Sequence, residues 1–242
     1  MNKKTLFLVS LLCLVVCGFV MAQDALAATT KKPVGTLVYT TGGVQMKRFE
    51  TKDFVAVKTG DMVFFGDVLK TLNDGVASLV YTDGSRSSLG PDTQLDIPAI
   101  EKGKKAPKAI QVLNLLIGKM WMKVSKREQA FEVRTSSAVA AIKGTKFQME
   151  VDKDGNVVLT VFDGLVEFKN SLGKQLLEAS MQALAKANEP PSKPKDVDLN
   201  TIDTPKTPDT TIIQDPKTKR VTVQVKDGNG QVKTIILEYE KQ

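Results

Sequence analysis

The sequence predicts an all-β protein, in which many short antiparallel strands form a sandwich or barrel and a β-hairpin follows near the C-terminus. The first observation is a dense series of turn signals between Val57 and Ile97, where Gly and Asp alternate with short apolar runs. Gly adopts positive φ without steric cost and Asp hydrogen-bonds its own backbone, so each such pair indicates a turn. The second observation is two successive hairpins, whose Asp-Gly turns at Asp154 and Asp163 lie nine residues apart. Short strands at this spacing are typical of a sandwich or barrel.

The elements before residue 100 follow from these turn signals. From Gly35 a short, mostly apolar run precedes Gly42 and Gly43, and alternating apolar and polar residues follow them, which indicates a hairpin. Phe54 begins a further short strand. The turn series then predicts strands at residues 62–65, 68–71, 76–81, 86–89 and 94–97. The Asp-Gly pairs at Asp74 and Asp83 are also nine residues apart, but this echo of the later hairpins is too short to establish a repeat.

The segment from Leu113 to Val124 is predicted to form paired strands broken at Gly118. Strict alternation places two methionines on one face and Trp121 on the other, between two lysines. A Trp in this setting is either half-buried against a neighbouring loop or a contact for a partner, a role in which Trp is enriched. Trp121 is therefore a candidate partner contact.

The C-terminal third of the chain has three predicted parts. Residues 174–188 fit either a helix, because Leu177, Met181 and Leu184 follow its period, or two short strands. Residues 189–216 hold most of the prolines and are predicted to be an extended, semi-rigid linker. Residues 217–242 are predicted to be a hairpin, which should dock on the main sheet or on another chain because isolated hairpins are marginally stable. Its candidate partner contacts are Val221, Val223 and Val225.

The N-terminus has the layout of a secretory signal peptide over residues 1–27, followed by a flexible leader over 28–34 and a β domain over 35–188. Cleavage is expected after Ala27, with cleavage after Ala22 or retention as an anchor as the alternatives. Both cysteines, Cys13 and Cys17, lie inside the apolar segment, so the mature chain forms no disulfide. The expected location is periplasmic or secreted, with membrane contact only in transit through the signal segment.

The formal net charge is +7, and its densest basic cluster is a loop that contains Lys102, Lys104, Lys105 and Lys108. No element that reads nucleic acid accompanies this charge, so nucleic acid is not an expected partner. The loop is predicted to be either a solvated surface or a contact for anionic polymers of the cell envelope.

Residue types restrict the chemistry. The chain has no histidine and the predicted mature chain no cysteine, which removes histidine-based triads, cysteine nucleophiles and nearly all zinc sites. Asp61 and Asp67 could form an acid/base pair, but each directly follows a glycine, so a turn role explains both. The segment from Asp152 to Asp163 lacks the glycine and glutamate positions of a calcium loop. No catalytic, metal or cofactor-binding residue is therefore predicted, and the protein is not expected to be an enzyme.

Taken in order, these turn and strand motifs resemble the FecR domain family over about residues 35–185. The matching pieces are Gly35-Thr36, Gly42 to Val44, Val57 to Asp61, Phe65 to Thr71, Ala77 to Leu79, Asp83 to Ser85, Leu89 to Leu95, Leu116 to Lys119, Phe131 to Thr135, Ala138 to Phe147 and Phe162 to Val166. The resemblance implies an exported all-β domain that contacts another envelope component and has no catalytic residues. It also favours strands over a helix in residues 174–188.

One departure limits what the resemblance implies. FecR regulators carry a cytoplasmic sigma-binding region before a membrane-spanning helix, whereas only Met1 to Thr5 precede the apolar segment here. The expectation is an exported FecR-like protein without that region, so sigma-factor contact is not carried over. The leading hypothesis is a non-enzymatic module that senses or scaffolds by binding an envelope protein. The alternative is a module that binds cell-wall or surface polysaccharide.

Overall fold

The computed structural model describes residues 33–101, 104, 111–125, 131–205, 210–214, 220–226 and 231–238. The predicted signal peptide, its cleavage positions and all but the last two residues of the predicted leader lie outside these ranges. Apart from one short 3-10 helix, the regular secondary structure of the described residues is β-strand, as the sequence predicted.

The strands of the N-terminal half are β1 Gly35–Thr41, β2 Val44–Lys47, β3 Phe54–Ala56, β4 Met62–Val63, β5 Val68–Thr71, β6 Val76–Tyr81, β7 Arg86–Leu89, β8 Gln94–Asp96 and β9 Val112–Lys123. Those that follow are β10 Phe131–Arg134, β11 Val139–Ile142, β12 Lys146–Val151, β13 Val157–Asp163, β14 Leu165–Asn170, β15 Gly173–Glu178, β16 Met181–Ala185 and β17 Lys195–Asp196. A short 3-10 helix, Leu199–Thr201, precedes β18 Thr210–Gln214, β19 Arg220–Lys226 and β20 Val232–Glu238.

Strands β1 to β17 form two sheets that share β9. Sheet A has the order β4-β1-β6-β7-β9-β12-β13-β16-β17. Sheet B has the order β3-β2-β5-β8-β9-β10-β11-β14-β15. Among the described strands the pairings are antiparallel except for β9 with β10, which is parallel. The second half of β9 provides the crossover that a parallel pair requires.

Strand β9 passes from one sheet to the other at Gly118. Its first half pairs with β8 and β10, and its second half pairs with β7 and β12. Gly118 has φ of 94°, and a Cβ there would lie 2.4 Å from the Cα of Thr93, so only glycine fits this bend. The prediction of two paired strands broken at Gly118 is therefore wrong, because the two halves are continuous and pair with different neighbours.

The pairing pattern occurs twice along the chain. In strands β5 to β8, the outer two pair in sheet B and the inner two in sheet A. Strands β11 to β14 repeat this arrangement. The inner strands are joined in each unit by an Asp-Gly turn, at Asp83 and at Asp154. This structural repeat aligns Asp83 with Asp154, whereas the echo noted in the sequence would align Asp74 with Asp154, so the echo does not mark the repeat. Strand β9 pairs with both units.

One hydrophobic core lies between sheets A and B. Apolar residues of both sheets form a single buried cluster, whose largest aromatic members are Tyr81, Phe131, Phe147 and Phe168. The alternation along β9 puts Met120 and Met122 in this core, with both side chains fully buried. Trp121 consequently lies on the outer face of sheet A, as the sequence predicted.

Residues 174–188 form β15 and β16, so the prediction of strands is confirmed and the helix alternative is wrong. The helical period of Leu177, Met181 and Leu184 is overridden by pairing with β14 and β13. Strands β18, β19 and β20 form a separate three-stranded antiparallel sheet, called the C-terminal sheet below. It contains the predicted hairpin and adds one strand from the segment predicted to be linker.

Candidate partner-binding surface

The C-terminal sheet packs on the outer face of sheet A. Val223 and Val225 of β19 are buried in a small cluster with Val38 of β1 and Val80 of β6, and Ile235 of β20 packs against it. The predicted docking of the hairpin on the main domain is thus observed. Val223 and Val225 face the domain, so a partner would reach other residues of this sheet, and the side chain of Val221 lies outside the described residues.

The C-terminal sheet has two edge strands, β18 and β20, and the side chains on the exposed face of β20 are described. In the described part of the chain β20 pairs with β19 alone, so its other edge presents backbone groups without a strand neighbour. Val232 and Ile236 are 56% and 55% exposed, and Thr234 between them is also exposed. Their spacing puts all three on one face. An edge strand with exposed apolar residues favours the addition of a strand from another chain.

Trp121 is half-buried at the centre of the outer face of sheet A. Its register partners are Ser88 on β7 and Gln148 on β12, so these three residues lie side by side across three strands. Gln148 is almost fully buried, and its Nε2 donates to Glu150 Oε1 at 2.8 Å and to the carbonyl oxygen of Asp203 at 3.1 Å. Gln148 Oε1 is buried and has no hydrogen-bond partner among the residues that the structure describes.

The segment that covers this face is residues 189–205, called the strap below. Its first part runs beside β16, where β17 pairs with Met181 and Gln182 and the amide of Ser192 donates to the carbonyl of Leu184 at 2.8 Å. Its last part crosses the strands. Asp203 contacts Lys119 on β9 and Gln148 on β12. Pro205 lies close to Gly90, since a Cβ added to Gly90 would be 3.7 Å from Pro205 Cγ.

Lys119 binds the strap to sheet A through a hydrogen bond and an ion pair. Its Nζ donates to the carbonyl oxygen of Asp203 at 3.2 Å and lies 3.5 Å from the Asp203 carboxylate and 3.6 Å from that of Glu150. Lys119 is three-quarters buried, whereas the Asp203 side chain is 82% exposed, so solvent screens this ion pair and the pair adds little to the hydrogen bond. An acidic, extended segment of the chain thus occupies part of the face beside Trp121.

Of the predicted contact residues in the basic loop, the structure describes Lys104. Lys104 is exposed and its Nζ lies 2.6 Å from the carboxylate of Glu101. Lys102 and Lys105 lie outside the described residues, as does Lys108.

The carboxylates that were considered as acid/base or calcium-binding candidates accept hydrogen bonds within turns. Asp67 is buried and accepts hydrogen bonds from Arg48 Nη1 at 2.7 Å and from the amides of Phe49 and Phe64. Asp61 accepts from the amide of Lys58 at 2.9 Å. The side chain of Asn156, followed by backbone amides of the same turn, lowers the pKa of Asp152. In the described ranges no three carboxylate, histidine or cysteine side chains gather where they could hold a metal ion.

No helix among the described residues is both long and apolar enough to span a membrane.

Sequence reasoning missed Gln148 and Asp203. Gln148 is one of several outward polar residues on an alternating strand, and Asp203 lies in a segment rich in proline and threonine. Neither has a local signal, because their contact exists only after the strap folds back over sheet A.

Comparison with known proteins finds a match to one protein family. Residues 67–167 match the protein-family model described as FecR protein, so the resemblance predicted from the sequence is confirmed over this range. No curated protein matches the chain.

Solved structures give a further likeness. Two crystal structures of a proposed anti-sigma factor from Parabacteroides distasonis ATCC 8503, at 1.65 and 2.50 Å resolution, are similar with a TM-score of 0.45 and 18% sequence identity. The similarity covers 54% of this chain and 60% of that chain.

Proposed function

We propose that this protein is a non-enzymatic protein-interaction module of the cell envelope, which senses or scaffolds by binding another envelope protein. The observation that carries the proposal is the free edge of β20, with Val232 and Ile236 exposed on it. A FecR domain match over residues 67–167 supports a regulatory or sensing role. The N-terminal sequence supports a periplasmic or secreted location.

Strand addition is the binding mode that the C-terminal sheet suits. In this mode the backbone hydrogen bonds of an edge strand supply affinity, and alternate side chains supply specificity. The strand β20 needs support, since a small sheet alone is marginally stable, and the burial of Val223 and Val225 against sheet A provides it. The domain would therefore present β20 to the partner as a preformed template.

The test is capture of envelope proteins by the purified protein, compared with a variant whose edge is blocked. Val232→Lys with Ile236→Lys places charges on the exposed face of β20, which discourages strand pairing. The matched control is Leu176→Lys on β15, another edge strand, where the side chain is 57% exposed. We expect the β20 variant to lose a discrete protein partner that the control retains. Equal capture by both variants would contradict this binding mode.

Binding to an anionic wall or surface polymer stays the alternative prediction. It rests on the net charge and on the basic loop, of which Lys104 is the described candidate and is paired with Glu101. Such binding should fall steeply with salt. Retention on purified cell-wall sacculi that disappears with salt, with no protein captured, would replace the first proposal by this one.

A further inference from the structure

Strand β15 is a long edge strand at one end of sheet B. Among the described strands, sheet A ends at β4 and β17, and sheet B ends at β3 and β15. Three of these edge strands are two or three residues long, whereas β15 has six and contains no proline. Very short edge strands and prolines are means by which proteins prevent pairing with another chain. The edge of β15 has neither, so it is a template for a further strand.

The backbone of β15 alternates between its two sides. A two-residue turn joins β14 to β15, so the pair that flanks it, Asn170 with Gly173, is a hydrogen-bonded pair. The two kinds of pair alternate from there, so every second residue from Gly173 bonds to β14. The residues between them, Lys174, Leu176 and Glu178, direct their N–H and C=O groups to the free edge. In the described ranges no other element hydrogen-bonds to these groups.

The side chains of the same three residues are exposed on the outer face of sheet B. Leu176 is 57% exposed, the Lys174 side chain is 71% exposed, and Glu178 is also exposed. Lys174 is in register with Lys169, a like charge, and its Nζ lies 3.7 Å from the carboxylate of Glu167. The ammonium group of Lys174 is therefore open to a further anion from outside the chain.

The order of these side chains is self-complementary. When two copies of β15 pair antiparallel about a two-fold axis at Leu176, the two leucines lie opposite each other, and Lys174 lies opposite the partner's Glu178. Apolar pairs and opposite charges in these positions stabilise a sheet. The backbone groups match as well, because each opposed pair consists of residues that direct their N–H and C=O groups to the edge. Moving the axis by one residue in either direction would put a charged residue opposite Leu176 instead.

We propose that this protein forms a symmetric dimer in which β15 pairs antiparallel with β15 of a second copy, so that sheet B continues across the dimer. A two-fold interface uses the same surface on both copies, and the arrangement of Lys174, Leu176 and Glu178 satisfies this requirement. The inference goes beyond the proposed function. Since β20 belongs to the C-terminal sheet, the dimer leaves it free and presents two copies of it.

The experiment measures self-association by sedimentation velocity over a concentration series. The protein is used in the form in which cells accumulate it. Leu176→Lys places two lysines opposite each other at the axis and should abolish the dimer. Lys174→Glu and Glu178→Lys each turn both flanking pairs into like-charge pairs. The matched control is Lys153→Glu, a charge reversal at an exposed position in the turn between β12 and β13.

We expect a monomer–dimer equilibrium with a micromolar Kd, because the pairing of one edge strand gives an interface smaller than that of a permanent dimer. Each single reversal at Lys174 or Glu178 replaces two stabilising pairs by two destabilising ones and should raise the Kd by about tenfold or more. Lys153→Glu should leave the Kd unchanged. An equimolar mixture of Lys174→Glu and Glu178→Lys should form dimers again, since every flanking pair in the mixed dimer joins opposite charges. A merely structural role of these residues would give no such recovery.

Several outcomes would overturn the inference. The first is a chain that stays monomeric at every concentration. Equal weakening by Lys153→Glu would show diffuse charge attraction, and failure of the mixture to dimerise would rule out the register. Loss of the dimer in Val232→Lys with Ile236→Lys, but not in Leu176→Lys, would assign self-association to β20 instead.

The proposed function is tested separately from the dimer. Leu176→Lys is the control in the capture experiment, where it should retain the protein partner although it loses the dimer. A dimer that depends on β15, together with equal capture by the β20 variant and this control, would contradict the proposed function alone. Capture that depends on β20 by a chain that stays monomeric would contradict the dimer alone.

Discussion

Asp67 shows how single residues hold the turns of the first repeat. Its buried carboxylate accepts from the guanidinium of Arg48 and from two backbone amides, whereas Asp61 accepts from one amide at a half-exposed turn. The sequence predicted the same turn role for both residues, but in the structure they differ in burial. Removing an acceptor from a buried cluster costs more than removing one that water can replace.

We therefore expect Asp67→Ala to lower the free energy of unfolding by about 2 to 3 kcal/mol, a figure that allows for the partial solvation of Arg48. Asp61→Ala, the matched control, should cost under about 1 kcal/mol. Urea denaturation followed by circular dichroism measures both. Equal losses of unfolding free energy in the two variants would mean that the ion pair of Asp67 with Arg48 adds no stability beyond that of an ordinary turn.

Tyr81 makes the alkaline stability of the protein depend on one buried hydroxyl. Its side chain is fully buried, its hydroxyl lies 2.9 Å from Ser87 Oγ, and burial raises its pKa well above the usual value of about 10. Because the folded-state pKa is above the unfolded one, the stabilisation is complete below about pH 10 and is lost as the pH rises through the folded-state pKa.

Tyr81→Phe should remove this part of the alkaline decline. The variant loses about 1 kcal/mol at neutral pH with the hydrogen bond to Ser87, and the gap between it and the natural protein should narrow above pH 10. Melting temperatures from pH 7 to 11 give the comparison. A gap that stays constant with pH would show that Tyr81 does not titrate differently in the two states.

At the scale of elements, the bend in β9 decides whether the two sheets can share a strand. A side chain at Gly118 meets both a strained φ and the backbone of Thr93, while Gly60 has a similar φ of 99° and open space around it. We expect Gly118→Ala to cost roughly 3 kcal/mol and Gly60→Ala about 1 kcal/mol, since only the first adds a steric clash to the strain. Thermal unfolding of both variants checks the difference.

The strands between Val57 and Ile97 could be predicted closely, because Gly and Asp end them locally. Most of their pairing partners could not be predicted, because apart from β6 with β7 and β8 with β9 these strands pair with partners that are not their neighbours along the chain. The bend at Gly118 could not, since the same glycine serves equally well as a turn between paired strands. The choice depends on β8 and β12, which lie far away in sequence. The apolar face of β19 was evident from Val223 and Val225, but what covers it depends on Val38 and Val80.

At the scale of the whole molecule, the C-terminal sheet is an added layer rather than part of the core. Its contact with sheet A is a small valine cluster separate from the main core. We expect a chain that ends at Pro205 to keep its β-sheet circular dichroism and cooperative unfolding. It should bind the dye ANS more strongly, because Val38 and Val80 become exposed. Loss of cooperative unfolding would show that the domain needs this sheet in order to fold.

The shared strand has a consequence for how the protein folds. Strand β9 supplies a neighbour to β7 and β8 on one side and to β10 and β12 on the other, so neither repeat has its full set of partners without it. The two repeats should accordingly melt in a single transition rather than as independent lobes. Most of these pairings join residues distant in sequence, and such high contact order makes the approach to the native state slow.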